Sequence, residues 1–115
     1  MRESVMVEIK LSDLTRDGEV RNLSGHERGV AAREKFNLPN LDSAPETVVV
    51  VVPDDITTLT SSFFQGMFSE SVQSLGNDRD RFLNHYQFDA SPLVLMQIER
   101  GIAAVQSRTK SKLIS

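Results

Sequence analysis

The chain reads as a small α/β sandwich, a short mixed or mostly parallel sheet packed with helices. Three observations predict this. Residues 48–52 are five consecutive valines, without the polar alternation of a half-exposed strand. Phe64, Met67, Phe68, Val72 and Leu75 then recur at helical spacing, one continuous apolar face. Strand and helix patterns keep alternating towards the C-terminus, the order that gives parallel strands with right-handed crossovers. The 115 residues, 39% apolar and 25% charged, suit one domain with a real core. That domain is expected over residues 1–107. A flexible basic tail with Arg108, Lys110 and Lys112 is expected over 108–115.

In order, "VMVEI" (residues 5–9) alternates, placing Val5, Val7 and Ile9 on one face of a first strand. "TRDGEV" turns the chain around Asp17 and Gly18. A helix over residues 25–37 follows. Ser24, with Glu27 three positions on, forms a capping box that satisfies two free backbone N–H groups. Gly29 weakens this helix and Pro39 stops it, so "NLPNLDSAPE" reads as a loop. The valines come next, as a central strand covered on both faces and ended by Pro53, which cannot donate to a ladder. The following helix takes Ser62 as N-cap, Gln65 as the second half of its capping box, and Gly76 as its left-handed terminator. "RFLNHYQF" alternates as a strand nearer an edge. Phe82, Tyr86 and Phe88 share one face of it, and Leu83, His85 and Gln87 the other. Ser91 caps and Pro92 opens a last helix, with Leu95, Ile98, Ile102 and Val105 as its stripe.

Several function classes drop out. The chain has no cysteine, which removes disulfides, thiolate catalysis and cysteine-rich zinc sites. A net charge of −3 gives no reason to expect a nucleic-acid or membrane partner. No apolar run approaches the ~20 residues of a membrane span, and "MRESVMVEIK" lacks a signal peptide's apolar block. A soluble, cytoplasmic protein is expected. No cofactor or metal is implied: "QSLGND" has one glycine and no following lysine, and His26 and His85 lack partners at ligand spacing. A serine nucleophile needs a base within hydrogen-bonding reach. Ser62 with His85 or Asp54 is the hydrolase or transferase alternative, but it has neither triad spacing nor a glycine-flanked elbow. The expectation is therefore no enzyme.

The remaining signal is "ITTLTSSFFQGMF" (residues 56–68), where hydroxyls precede a large apolar cluster. At a helix N-terminus the free N–H groups and the dipole favour an anion. A phosphate on Ser61 or Ser62 is thus tolerated there, while changing what the surface presents to a partner. The plainer reading is that these serines only start the helix. Asp54 and Asp55 can hold a cation, or simply form a solvated turn after Pro53.

The stretch "VVVVVPDDITTLTSSFFQGMF" resembles the centre of STAS domains, which occur in sulphate transporters and anti-sigma factor antagonists. It looks closest to a small bacterial STAS-like family of unknown function. Leu59, Ser62, Phe63, Met67 and Phe68 fill the places of that family's "I-x-x-S-F" segment and "F-A-D-E-h-F" helix start. "RGVAAREKF" and "QIERGIAAV" are similar to its first and closing helices, so the resemblance spans residues 24–105. It implies a non-enzymatic regulatory module that binds a protein partner through the turn from Thr57 to Phe64 and the helix that follows. The implied contact residues are Asp54, Asp55, Thr58, Thr60, Ser61, Ser62 and Phe63. In anti-sigma antagonists a serine at this turn is phosphorylated by a kinase-like ATPase, and the matching place is Ser62, with Ser61 just before it. The sequence departs from the family at three acidic places, which hold Thr60, Val52 and the pair Gln65 and Gly66. Phe63 lies off the apolar stripe, either under the sheet end or on the partner surface. A third reading is a structural domain that forms a homodimer through the same helix.

Overall fold

The computed structural model describes residues 6–14 and 21–114. The expected turn at Asp17 and Gly18 lies outside them, as does Val5. Three strands form the main sheet: β1 (Met6–Lys10), β3 (Thr47–Val51) and β5 (Tyr86–Asp89), in the order β1-β3-β5 and parallel throughout. Two short parallel strands, β2 (Asn22–Leu23) and β4 (Thr58–Leu59), make a separate ribbon. The helices are α1 (His26–Lys35), α2 (Leu38–Asp42), α3 (Ser61–Ser74), α4 (Arg79–His85) and α5 (Pro92–Ile114). Among the described residues no helix is long and apolar enough to cross a membrane. This is the α/β sandwich that the periodicities predict.

The valine strand is central, and the ladder runs one residue past it, through the Val52 N–H to the Asp89 carbonyl at 2.8 Å. It is not covered on both faces. Val48 and Val50 are fully buried, whereas Val49 and Val51 are only half-buried. The register explains the difference. Val48 and Val50 share a face with Tyr86, Phe88, Val7 and Ile9, under the helices. Val49 and Val51 share the other with exposed Glu8, Lys10, Gln87 and Asp89. A uniform valine run suits either environment, because branching at Cβ favours extended backbone whether or not a helix lies above.

Phe68 of α3 anchors the buried side. Its ring lies 5.3 Å from Phe64, 5.6 Å from Phe82, 5.3 Å from Tyr86 and 5.4 Å from Phe88, centroid to centroid. Phe82 reaches this cluster from α4, not from a strand, for "RFLNHYQF" is helical through His85 and extended only from Tyr86. Asp78 starts α4 by accepting the Asp80 and Arg81 N–H groups at 2.9 and 3.2 Å. The aromatic and apolar residues of this stretch mimic strand alternation because a seven-residue helix offers too few turns to show a 3.6 period. β5 is an edge strand, as expected.

Helix ends bring further corrections. α1 takes Gly25 as its N-cap with no side-chain cap bond, so the Ser24–Glu27 box does not form. Pro39 does not stop a helix. It sits in the first turn of α2, where its missing N–H would be unpaired in any case, and the expected loop is partly helical. Gly76 does terminate α3 in a Schellman arrangement: φ is 87°, its N–H reaches the Gln73 carbonyl, and the Asn77 N–H reaches the Val72 carbonyl. Ser91 caps α5, accepting from the Val94 N–H at 3.3 Å. The buried stripe of α5 is Val94, Ile98, Ile102 and Val105, while Leu95 faces out. Helix α5 continues to Ile114, through most of the segment expected as a loose tail.

Gly29 and Gly66 fix how α1 crosses α3. A Cβ on Gly29 would lie 2.2 Å from the Phe63 carbonyl oxygen, and one on Gly66 would lie 2.2 Å from that of His26. The two backbones touch there, which only glycine permits. Gly29 is thus a packing requirement, not a weak point.

Candidate functional site

The chain leaves β3 at Val52, turns at Pro53 and reaches β4 before α3 begins. The Ile56 N–H bonds to the Pro53 carbonyl at 3.0 Å, leaving Asp54 and Asp55 exposed at the centre of that turn. β4 is held against β2 by the Thr57 N–H to the Arg21 carbonyl and the Thr60 N–H to the Leu23 carbonyl, both at 2.9 Å. Its other edge is tied to α5, because Gln97 Oε1 accepts the Leu59 N–H at 2.8 Å.

Ser62 is not the cap of α3. Thr60 is, in extended conformation, with its hydroxyl accepting the Phe63 N–H at 3.3 Å. Thr58, Thr60 and Ser61 are half-buried, and Thr57 and Ser62 are exposed. The Ser62 hydroxyl lies 3.2 Å from that of Thr60. Ser61 Oγ accepts from Gln65 Nε2 at 2.9 Å, and Gln65 Oε1 accepts from Arg108 Nη1 at 2.7 Å. The sequence missed Thr60 because threonine and serine cap about equally well, and three of them stand in a row. Phe63 is 2% exposed and belongs to the core, so of its two expected roles it takes the packing one.

Ser62 and His85 are not brought together. The His85 Nε2 pairs with the Leu41 carbonyl at 2.7 Å, and its ring stacks edge-on against Tyr86. Tyr86 is joined through Asp42 to Ser71. Ser71 stands nine residues after Ser62 on one helix, about 13 Å along its axis.

A buried polar cluster that sequence reasoning did not find occupies that far end. Arg33 of α1, 7% exposed, donates from Nη1 to the Met67 carbonyl at 3.0 Å and to Ser71 Oγ at 2.9 Å. Its Nη2 pairs with Asp42 Oδ2 at 2.5 Å. Asp42 Oδ1 accepts from both the Ser71 and the Tyr86 hydroxyls. Burial and the neighbouring Asp42 carboxylate together push the Tyr86 phenol well above its usual range. The residues come from α1, α2, α3 and β5, separated by up to 53 positions, so no local motif announces them. Every member has a partner, and the cluster ties α2 to the helix layer.

Beside the hydroxyl-rich turn, α5 exposes apolar side chains. Leu93 is 49% exposed, Met96 43% and Leu95 38%. Leu93 lies one turn before Gln97 on the same helix face, and so borders β4. Comparison of the chain with protein-family models, with curated proteins and with solved structures gave no match.

Proposed function

We propose that the protein is a non-enzymatic, cytoplasmic binding module of the STAS-like kind. It docks a partner protein on the turn from Thr57 to Ser62 together with the first turns of α5. The observation that carries this reading is exposed Leu93, with exposed Met96 three residues on, at the start of α5 beside a turn lined by Thr57, Thr58, Thr60 and Ser62. An apolar centre with a hydroxyl rim is the make-up of a protein docking patch. The patch rests on rigid ground, since the Gly29–Gly66 crossing and the Thr60 cap fix the start of α3.

Ser62 is the hydroxyl best placed for such a partner to read or phosphorylate. It is exposed in the first turn of α3 and does not hold the cap, so added charge leaves the helix start intact. Ser61 is the lesser candidate, being half-buried and engaged by Gln65. A kinase-like ATPase is the partner this chemistry fits. Of the three acidic places that depart from the STAS pattern, one has a steric reason: Gly66 admits no side chain against the His26 carbonyl. The distance between Ser62 and His85 supports binding over hydrolysis.

The test is affinity capture from native extract with wild type, Ser62→Asp, and the pair Leu93→Glu/Met96→Glu. Wild type should retain an ATP-binding protein that both variants lose, with all three equally folded by circular dichroism. Equal retention by all three would overturn the docking surface.

A further inference from the structure

Among the described residues, nothing covers the outer face of the main sheet. Three parallel strands normally have both faces covered, since crossovers place helices on each side. Here Glu8 and Lys10 of β1, and Gln87 and Asp89 of β5, are all exposed, so no described element lies across them. Between them stand Val49 and Val51, half-buried and outside the apolar core. The register sets these residues in two rows. One is Glu8, Val49, Gln87, and the other is Lys10, Val51, Asp89.

We propose that a second copy of this chain covers that face, in a two-fold dimer whose axis runs parallel to the strands. Such an axis lays β3 over β3, so valine meets valine along the centre. It also lays β1 over the partner's β5 at the same height. Lys10 then faces Asp89 of the other copy, twice, and Glu8 faces Gln87, twice. No like charges meet. Within one chain Lys10 lies 3.8 Å from Glu8, while among the described residues no cation lies within ion-pair distance of Asp89. The Lys10 of a second copy supplies that missing cation. Face-to-face sheets stack about 10 Å apart, a gap that lysine and aspartate side chains span together.

The face is small. Three strands of about five residues cover roughly 14 by 16 Å, less than the ~800 Å² that each partner contributes to a standard interface. Association is therefore expected to be reversible, in the micromolar range or weaker. It uses the sheet face and leaves the α3–α5 surface free, so it stands independently of the docking function proposed above.

Sedimentation equilibrium from micromolar to millimolar protein tests it. Wild type should pass from monomer to dimer, and high salt should shift the transition to higher concentration. Lys10→Asp and Asp89→Lys should each weaken association roughly tenfold or more, by setting like charges face to face. The double variant Lys10→Asp/Asp89→Lys should recover it. Wild type that stays monomeric throughout overturns the proposal, as does a double variant no better than the singles. A second readout does not depend on charge. The chain has no cysteine, so a spin label on Gln87→Cys is unique. Mixed with isotope-labelled wild type, it should broaden the Glu8 amide of the other copy. Broadening confined to other surfaces would equally overturn the sheet-face dimer.

Discussion

Gly66→Ala isolates the contact on which the helix layer depends. In an ordinary helix interior this change stabilises by about 1 kcal/mol, because alanine loses less backbone freedom on folding. At Gly66 the new Cβ would stand 2.2 Å from the His26 carbonyl oxygen and 3.0 Å from the Val30 nitrogen. Carbon and oxygen need about 3.3 Å, so the axes must separate by roughly 1 Å. Both obstructing atoms are backbone, so no side chain can swing clear. Moving α3 away from α1 also stretches the Arg33 bonds to the Met67 carbonyl and to Ser71. Overpacking of this kind costs about 3 kcal/mol at the upper end of its range. Set against the propensity gain, a net loss of about 2 kcal/mol remains. For a domain this size the melting temperature should fall by roughly 6–12 °C. Gly29→Ala should behave alike. The double variant should cost less than the sum, since one separation relieves both clashes. Urea and thermal unfolding, with Ala31→Gly on the exposed side of α1 as the propensity control, measure all of this. A Gly66→Ala protein as stable as wild type would refute the reasoning.

Phe68→Ala should cost about 3–5 kcal/mol, because the residue is 2% exposed and touches four other rings; a melt shifted by only a degree would contradict that core. Thr60→Ala should lose about 1 kcal/mol as the true cap of α3, while Ser62→Ala should stay within about 0.5 kcal/mol. The reverse order in a thermal melt would restore Ser62 as the cap. Asp42→Ala leaves the buried Arg33 charge with only exposed Glu70, 3.6 Å away, as counter-ion and should cost about 3 kcal/mol by urea titration. Tyr86 carries a pH signature. Its folded pKa is raised, so unfolded chains release that proton first as pH climbs past ~10. The folded state binds the extra proton in that window, so stability should fall with rising pH there. Tyr86→Phe should flatten this alkaline slope while losing about 1 kcal/mol at neutral pH through the hydrogen bond to Asp42.

What the sequence determined by itself was whatever depends on local periodicity. The stripe from Phe64 to Leu75 repeats over three turns, long enough for one reading to win, and Phe64, Met67, Phe68 and Val72 are all buried. Gly76 and Ser91 were legible because a left-handed residue and a cap act within a few positions. Short or uniform segments were not. Five residues of α4 passed for strand, five of α2 for loop, and a valine run has no polar partner to mark which face stays uncovered. The candidate site divides the same way. Its hydroxyls stand in one stretch of sequence, but Leu93 and Met96 join them only because Gln97 reaches across to Leu59. Tertiary structure alone decided the Gly29–Gly66 crossing and the Arg33–Asp42–Ser71–Tyr86 cluster, because all but the Arg33–Asp42 pair of these contacts bring together residues 29 to 44 positions apart. Propensity and capping act over one helical turn; a clash or a buried charge is set by whichever backbone the fold brings alongside.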